Sequence, residues 1–111
     1  MKTICAPISE QAKLRLDFDE NIEGDLIELN ISQSDYEALE KIDYFNCLNK
    51  HLGLLIDNYE DESISYEDLP KALDLTIEYS YKYSGLEELW CSIKKIILTA
   101  IENKTAVFFF F

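Results

Sequence analysis

The chain ends in an uninterrupted apolar run, Ala106 and Val107 followed by four phenylalanines, Phe108–Phe111. The alternation expected of a half-exposed strand is absent from this run. A strand buried on both faces has this pattern, and such strands occupy the middle of a sheet. Four exposed phenylalanines would favour aggregation, although a hydrophobic degradation tag is an alternative function. The C-terminus therefore predicts a central strand over residues 105–111.

Two earlier segments alternate between apolar and polar residues, which predicts half-buried strands. They are residues 12–18 and 26–31, with polar turn residues between them, and together they predict an antiparallel hairpin. Their apolar faces would consist of Leu14, Leu16 and Phe18, and of Ile27, Leu29 and Ile31. A further strand is predicted over residues 3–8, where Pro7 either confines it to an edge or ends it.

A first helix is predicted from a capping box at Ser34 and Glu37, in which each side chain satisfies a free backbone N–H group. Apolar residues then recur every three or four positions, which places one stripe along a helix that ends near Gly53. The stripe consists of Tyr36, Leu39, Ile42, Phe45, Leu48 and Leu52.

Two more helices follow in the sequence. The second begins after Ser65 or Asp68, because Pro70 fits only a first turn, and Gly85 suits the left-handed position after its end. The third covers residues 86–103 and has the clearest helical periodicity.

These elements predict an α+β fold in one domain, residues 1–111. It comprises N-terminal antiparallel strands, three helices, and a buried C-terminal strand that completes one sheet. Because a long helical excursion precedes the last strand, that strand could lie parallel to a neighbour.

The charge balance excludes two classes of partner. Asp and Glu number 22 against 10 Lys and Arg, which gives a formal net charge of −12. Proteins that bind nucleic acid or anionic membranes need cationic side chains, so neither is expected as a partner. No export signal or stretch of about 20 apolar residues is present, which predicts a cytoplasmic protein.

No catalytic, cofactor or metal-binding signature is present in the sequence. The three cysteines form no CxxC pair, and His51 has no nucleophile or acid at a catalytic spacing. Glycine-rich phosphate-binding motifs are missing. The acidic stretch that starts at Asp57 carries Glu62 where a calcium loop requires glycine. We therefore expect no enzyme activity, no cofactor and no metal site.

Half of the net charge lies in residues 57–68, DNYEDESISYED, which contain six acids and no base. Residues 1–56 contain 5 bases and 11 acids, and residues 69–111 contain 5 of each. Carboxylates steer a basic partner, and tyrosines supply rigid contact area. The predicted contact residues are Asp57, Tyr59, Glu60, Asp61, Glu62, Tyr66, Glu67 and Asp68, flanked by Glu40 and Asp43.

In its small size, its acidity and its lack of catalytic residues, the chain resembles the immunity proteins of bacterial contact-dependent growth inhibition and related polymorphic toxin systems. The local features that carry the resemblance are DNYEDESISYED and the closing strand TAVFFFF. It implies a protein that binds a basic toxin domain, a nuclease, and occludes its substrate-binding surface.

Three other interpretations remain open, one of which is a small enzyme with a concave pocket and carboxylates of perturbed pKa. A chaperone or adaptor would bind a peptide or secreted effector through an apolar and tyrosine-rich surface. Alternatively, the acidic surface serves only to keep the domain soluble and monomeric.

Overall fold

The computed structural model describes residues 2–111. Its elements are, in chain order, β1 (Lys2–Pro7), α1 (Glu10–Asp17), β2 (Leu26–Ile31), α2 (Gln33–Lys41), α3 (Tyr44–Leu52), β3 (Asp61–Ile64), α4 (Leu69–Lys82), α5 (Glu87–Glu102) and β4 (Val107–Phe110). A single 3-10 turn, Tyr66–Asp68, leads into α4. The predicted α+β class is confirmed, with one sheet and five α-helices where three were expected.

The sheet has the order β2-β1-β4-β3. The C-terminal strand is therefore a central strand, as its sequence predicts. It is antiparallel to both neighbours, with Phe109 paired with Ile4 of β1 and with Glu62 of β3, so the expected parallel pairing is wrong. A hydrogen bond of 2.7 Å from the buried Thr105 hydroxyl to the Pro7 carbonyl places the start of β4 beside the end of β1, which fixes the antiparallel direction.

The two faces of β4 are buried to different extents. Val107 and Phe109 point into the core and are 1% and 3% exposed, whereas Phe108 and Phe110 on the opposite face are half-buried. The inner face is covered by α5, which contacts β1, β2 and β4. The prediction of a strand buried on both faces is thus fulfilled on one face and only in part on the other.

The core lies between the inner face of the sheet and the helices. Tyr44, Trp90 and the apolar face of α5 form its centre, with the Tyr44 and Trp90 rings in edge contact at 5.1 Å. The polar atoms of these rings are satisfied, since Tyr44 hydrogen-bonds the Thr76 hydroxyl at 2.8 Å and the Trp90 Nε1–H donates to the Tyr83 carbonyl. Burial without an unpaired polar atom stabilises one defined packing arrangement.

Residues 12–17 lie in helix α1 and Phe18 is its C-cap, so the strand predicted there and its hairpin are wrong. Ser9 caps the helix by accepting a hydrogen bond from the Ala12 amide, and Glu10 lies in the first turn. The apolar alternation misled because Leu14 and Phe18, four residues apart, lie on the exposed side of the helix. Strand β2 covers the predicted residues 26–31, but its partner is β1.

The helix predicted from Ser34 to Gly53 is two helices, α2 and α3. Asp43 interrupts them because it adopts a left-handed conformation with φ of 67°, and Gly53 ends α3 in a similar conformation. The N-cap of α2 is Ser32, whose hydroxyl accepts from the Asp35 amide, so the predicted capping box at Ser34 is wrong. The apolar stripe nevertheless faces the core on both helices.

The segment predicted as a connection, residues 57–68, contains the fourth strand of the sheet. Strand β3 has only four residues and forms an edge by pairing with β4. Its strand character depends on that long-range pairing rather than on an apolar pattern of its own. Helix α4 starts at Leu69 with Pro70 in its first turn, and α5 covers the predicted third helix, as expected.

Replacement of Phe109 by alanine tests the importance of the central strand. We expect Phe109→Ala to lower the free energy of unfolding by about 3–5 kcal/mol, because a buried aromatic side chain is lost and a cavity remains. Phe18→Ala is the matched control, since Phe18 is 72% exposed. This substitution should change the free energy of unfolding by less than about 0.5 kcal/mol. Equal effects of the two substitutions on the free energy of unfolding in urea would contradict the role of β4 as a buried central strand.

The ion pair between Arg15 and Asp25 connects α1 to the loop that precedes β2. Arg15 donates from Nε and Nη2 to the two Asp25 oxygens at 2.8 and 2.6 Å, and the Ile22 amide donates to the same carboxylate. The guanidinium holds the pKa of the Asp25 carboxyl far below its usual range. The charged carboxylate therefore stabilises the fold above the unfolded-state pKa of about 3.9, and this contribution is lost as the pH falls through the lower folded-state value.

We expect Asp25→Asn to be less stable than the natural protein at pH 7 in urea unfolding. The stability difference should be constant down to about pH 5 and should shrink below about pH 4, where the unfolded chain takes up the proton. Asp74→Asn, at an exposed position of α4, removes the same charge. The stability difference between this variant and the natural protein should not shrink below about pH 4. A stability difference that stays constant from about pH 5 to pH 3 would contradict the role of this pair.

Candidate acidic binding surface

Residues 57–68 form an exposed loop, strand β3 and the 3-10 turn before α4. Of the eight residues predicted there as partner contacts, six are exposed: Asp57, Tyr59, Glu60, Asp61, Tyr66 and Glu67. Glu62 and Asp68 are half-buried. Tyr59 is 88% exposed and has a φ of 65°, so the loop presents its ring to solvent.

Side-chain hydrogen bonds hold the chain on both sides of this loop. The Asn49 side chain accepts from the Ile56 amide at 2.7 Å and donates to the Ile56 carbonyl at 2.9 Å. The Glu62 carboxylate accepts from the Leu55 and Ser63 amides, both at 2.9 Å. Glu62 therefore has a structural role, which leaves the exposed acids Asp57, Glu60, Asp61 and Glu67 as the ones of this segment most available to a partner.

A first groove, which we call the α2–α3 groove, lies between these two helices and the loop. It has a cavity volume of about 340 Å³ and brings Glu40 of α2 together with Asp57 and Glu60. Its lining consists of Tyr36, Glu40, Phe45, Asn46, Asn49, Leu55, Ile56, Asp57 and Glu60. The flanking position predicted for Glu40 thus adjoins the acidic loop.

A second groove, the β3 groove, lies on the outer face of the sheet and has a volume of about 330 Å³. The end of α1 forms one wall, where Asp17 faces the same space as Asp61 of β3, and the half-buried Phe108 and Phe110 form the apolar part. This arrangement extends the acidic surface from β3 to α1.

The acids that follow α1 are functional candidates that the sequence reasoning missed. Residues 16–40 contain nine acids and no Lys or Arg, and residues 51–70 contain six acids and no Lys or Arg. The net charge of residues 1–56 does not reveal the first base-free segment, because that range also contains five bases. Its exposed members near the β3 groove and in the following loop are Asp17, Asp19, Glu20 and Glu23. A search for base-free segments would have found them.

Several predicted contact residues line neither groove. Asp43 lies at the junction of α2 and α3, where its carboxylate accepts from Asn46 at 2.7 Å. Tyr66, Glu67 and Asp68 belong to the 3-10 turn, and the Asp68 carboxylate accepts from the Ser65 hydroxyl. The structure therefore groups Glu40, Asp57, Glu60 and Asp61 around the grooves and places the turn residues beyond them.

The negative charge of this surface has little internal compensation. Between residues 2 and 111, the Arg15–Asp25 pair is the one contact within 4.0 Å between a cationic side chain and a carboxylate. The Asp25 carboxylate of this pair is buried, at 4% exposed, while the Arg15 side chain is 35% exposed. The exposed acids of both base-free segments are consequently available to an external cation.

The chemistry of the two grooves suits recognition of positive charge. They offer carboxylates, amides and aromatic rings, and the described part of the chain holds no group of His, Cys, Asp and Glu arranged to bind a metal. The His51 ring contacts its own helix, with Nδ1 2.9 Å from the Cys47 carbonyl. None of the helices in residues 2–111 has the length and apolar character needed to cross a membrane.

Comparison with known proteins identifies a similar fold. No protein family model matches the sequence, and no curated protein matches it. Among solved structures, the Neisseria DNA mimic protein DMP12 is similar over 100% of both chains, with a TM-score of 0.68 and 15% sequence identity. At this level of identity, the likeness establishes that the two chains share a fold.

Proposed function

We propose that this protein is a DNA mimic that binds the nucleic-acid-binding surface of a basic protein and thereby excludes nucleic acid from it. The observation that carries the proposal is the meeting of the two base-free acidic segments, residues 16–40 and 51–70, at Asp17 and Asp61. Surfaces that bind nucleic acid present Lys and Arg to the phosphates. The same cations are complementary to an extended carboxylate surface.

The number of charges supports the proposal. The two segments contain 15 acids, and the molecule is 36 Å long. A DNA duplex of that length carries about 20 phosphate charges. With Asp25 paired with Arg15, the protein offers 14 acids within a molecule of that length, and the exposed Tyr59 ring adds contact area. The shared fold of a protein named as a DNA mimic is further support.

A narrower form of the proposal makes the basic partner a nuclease toxin domain, as the resemblance to immunity proteins implies. An inhibitor of this kind needs no catalytic residue, because occlusion of the substrate groove is sufficient. In this form, the protein would block DNA cleavage by the toxin domain and protect cells that express it. Protection without block of cleavage would contradict this form of the proposal.

An adaptor function is the second candidate, favoured by apolar side chains exposed around α1. Leu14, Phe18 and Ile22 are 49%, 72% and 61% exposed. Binding through such side chains depends little on salt, whereas binding between exposed charges is screened. An adaptor would therefore keep its partner at high salt and lose it in Leu14→Ser and Phe18→Ser.

The experiment is a displacement assay with the basic partner, isolated from the native cell at low salt, and a short fluorescent DNA duplex. We expect the protein to displace the duplex, with an affinity that falls between about 50 and 200 mM salt. The triple variant Asp57→Asn, Glu60→Gln, Asp61→Asn should bind between about threefold and about a hundredfold more weakly, because each lost charge pair contributes about 0.2–1 kcal/mol.

The matched control is the triple variant Asp74→Asn, Glu78→Gln, Glu102→Gln, which removes three exposed acids outside both base-free segments. It should weaken binding less than about threefold, since only the net charge changes. Equal effects of the two triple variants would mean that the acidic surface is not the contact. Simultaneous binding of protein and duplex to the partner would contradict DNA mimicry.

A further inference from the structure

The outer face of the sheet carries apolar side chains that the fold leaves partly open to solvent. Phe108 and Phe110 of β4 lie on this face, with their rings stacked at a centroid distance of 6.1 Å and an angle of 9°. Helix α1 contacts β1, and Cys5 and Pro7 of β1 on the same face are buried. The solvent-facing side of an antiparallel sheet is usually polar. The two half-buried phenylalanines therefore form an apolar floor of the β3 groove that lacks a complete cover.

Acidic side chains border this apolar floor. Asp61 is paired with Phe110 and Ser63 with Phe108, so these side chains share the outer face of the sheet. Asp17 lines the groove from the end of α1. The Asp17 and Asp61 carboxylates are exposed, and no cationic side chain of residues 2–111 lies within 4.0 Å of them. The groove thus combines an apolar centre with a charged rim, which is the arrangement of protein–protein interfaces.

A second copy of this chain does not complement the groove. Symmetric association brings the same patch of two molecules together, so Asp17 and Asp61 would face the same acids of the other copy. Like charges that meet in an interface oppose association, and each chain carries a formal net charge of −12. A partner that presents cations beside an apolar side chain is complementary to both features of the groove.

Building on the DNA-mimic function, we propose that the β3 groove binds one large apolar side chain of the basic partner, flanked in the partner's sequence by Arg or Lys. The apolar side chain packs on the rings of Phe108 and Phe110, and the flanking cations meet the carboxylates of Asp17 and Asp61. The groove volume of about 330 Å³ is at the small end of ligand sites, which suits single side chains rather than a helix.

This contact allows the protein to select among basic proteins. Exposed carboxylates attract any cationic surface and mainly raise the rate of encounter. An apolar side chain contributes only when the partner places it over the groove, and its contribution is little screened by salt. The acids therefore determine that the partner is basic, whereas Phe108 and Phe110 determine which basic protein stays bound.

The test is an NMR titration of the full chain at low salt with the blocked peptide acetyl-Gly-Arg-Leu-Arg-Gly-amide and with the same peptide carrying Ser in place of Leu. We expect the Leu peptide to bind at least about threefold more tightly, because it buries apolar surface. Its largest amide shifts should lie in residues 61–63 and 108–110. A third peptide, with Glu in place of both Arg residues, should bind at least about tenfold more weakly than the Leu peptide, because it meets the acids with like charge.

Phe110→Thr removes part of the apolar floor and should reduce the preference for the Leu peptide to less than about twofold. Tyr81→Thr is the matched control at an aromatic residue of α4 that is 86% exposed, and it should keep the preference. Asp61→Asn should weaken both peptides about two- to fivefold, whereas Asp74→Asn should weaken them less than about twofold. Urea unfolding checks that each variant stays folded, and the comparison of the Leu and Ser peptides tests the groove on the natural protein whatever the variants do.

Equal affinities of the Leu and Ser peptides, or shifts confined to α1, would overturn the groove as the apolar site. A dimer that forms with rising concentration in sedimentation, and that Phe110→Thr abolishes, would show that a second copy occupies the groove and would also overturn it. The displacement assay separates this proposal from the DNA-mimic function. Displacement of the duplex without a preference for Leu refutes the apolar site alone, and a preference for Leu without displacement refutes DNA mimicry.

Discussion

The pairing of strand β4 with β1 on one side and β3 on the other is the constraint on which the rest of the structure depends. Phe109 is paired with Ile4 and with Glu62, so the last residues of the chain join its first strand to the acidic segment. The four residues of β3 are too few to form a stable strand alone. Burial of the C-terminal phenylalanines therefore determines where Asp61 and the preceding loop lie.

Charge and apolar packing are separated in this fold. Residues 69–111 supply α4, α5 and β4, contain equal numbers of acids and bases, and contribute much of the core. The acid excess lies in the two base-free segments, where carboxylates repel one another and destabilise the folded state. Packing around Trp90 and Tyr44 has to offset that repulsion. Retention of an unpaired acidic surface at this cost is consistent with a role in binding.

Sequence patterns predicted the elements in which local pattern and burial agree. Strand β2 and helix α5 are where their periodicity placed them, and β4 is central because its composition requires burial. The pattern failed at residues 12–18, because the exposed Leu14 and Phe18 produced an alternation like that of a strand. It also failed at Asp43, because periodicity does not indicate a left-handed backbone conformation. The acidic loop was identified from composition, but its neighbours Asp17 and Glu40 are brought to it only by tertiary packing.

The central claim is that the base-free segments form one surface that meets a basic protein in place of DNA. Hydrogen–deuterium exchange of the protein, free and bound to its partner, tests this claim most directly. The account predicts slower exchange of the amides in residues 16–23 and 55–62 in the complex, with little change in the outward face of α4. Protection confined to the amides of α4, or to the amides of α1 without those of residues 55–62, would contradict it.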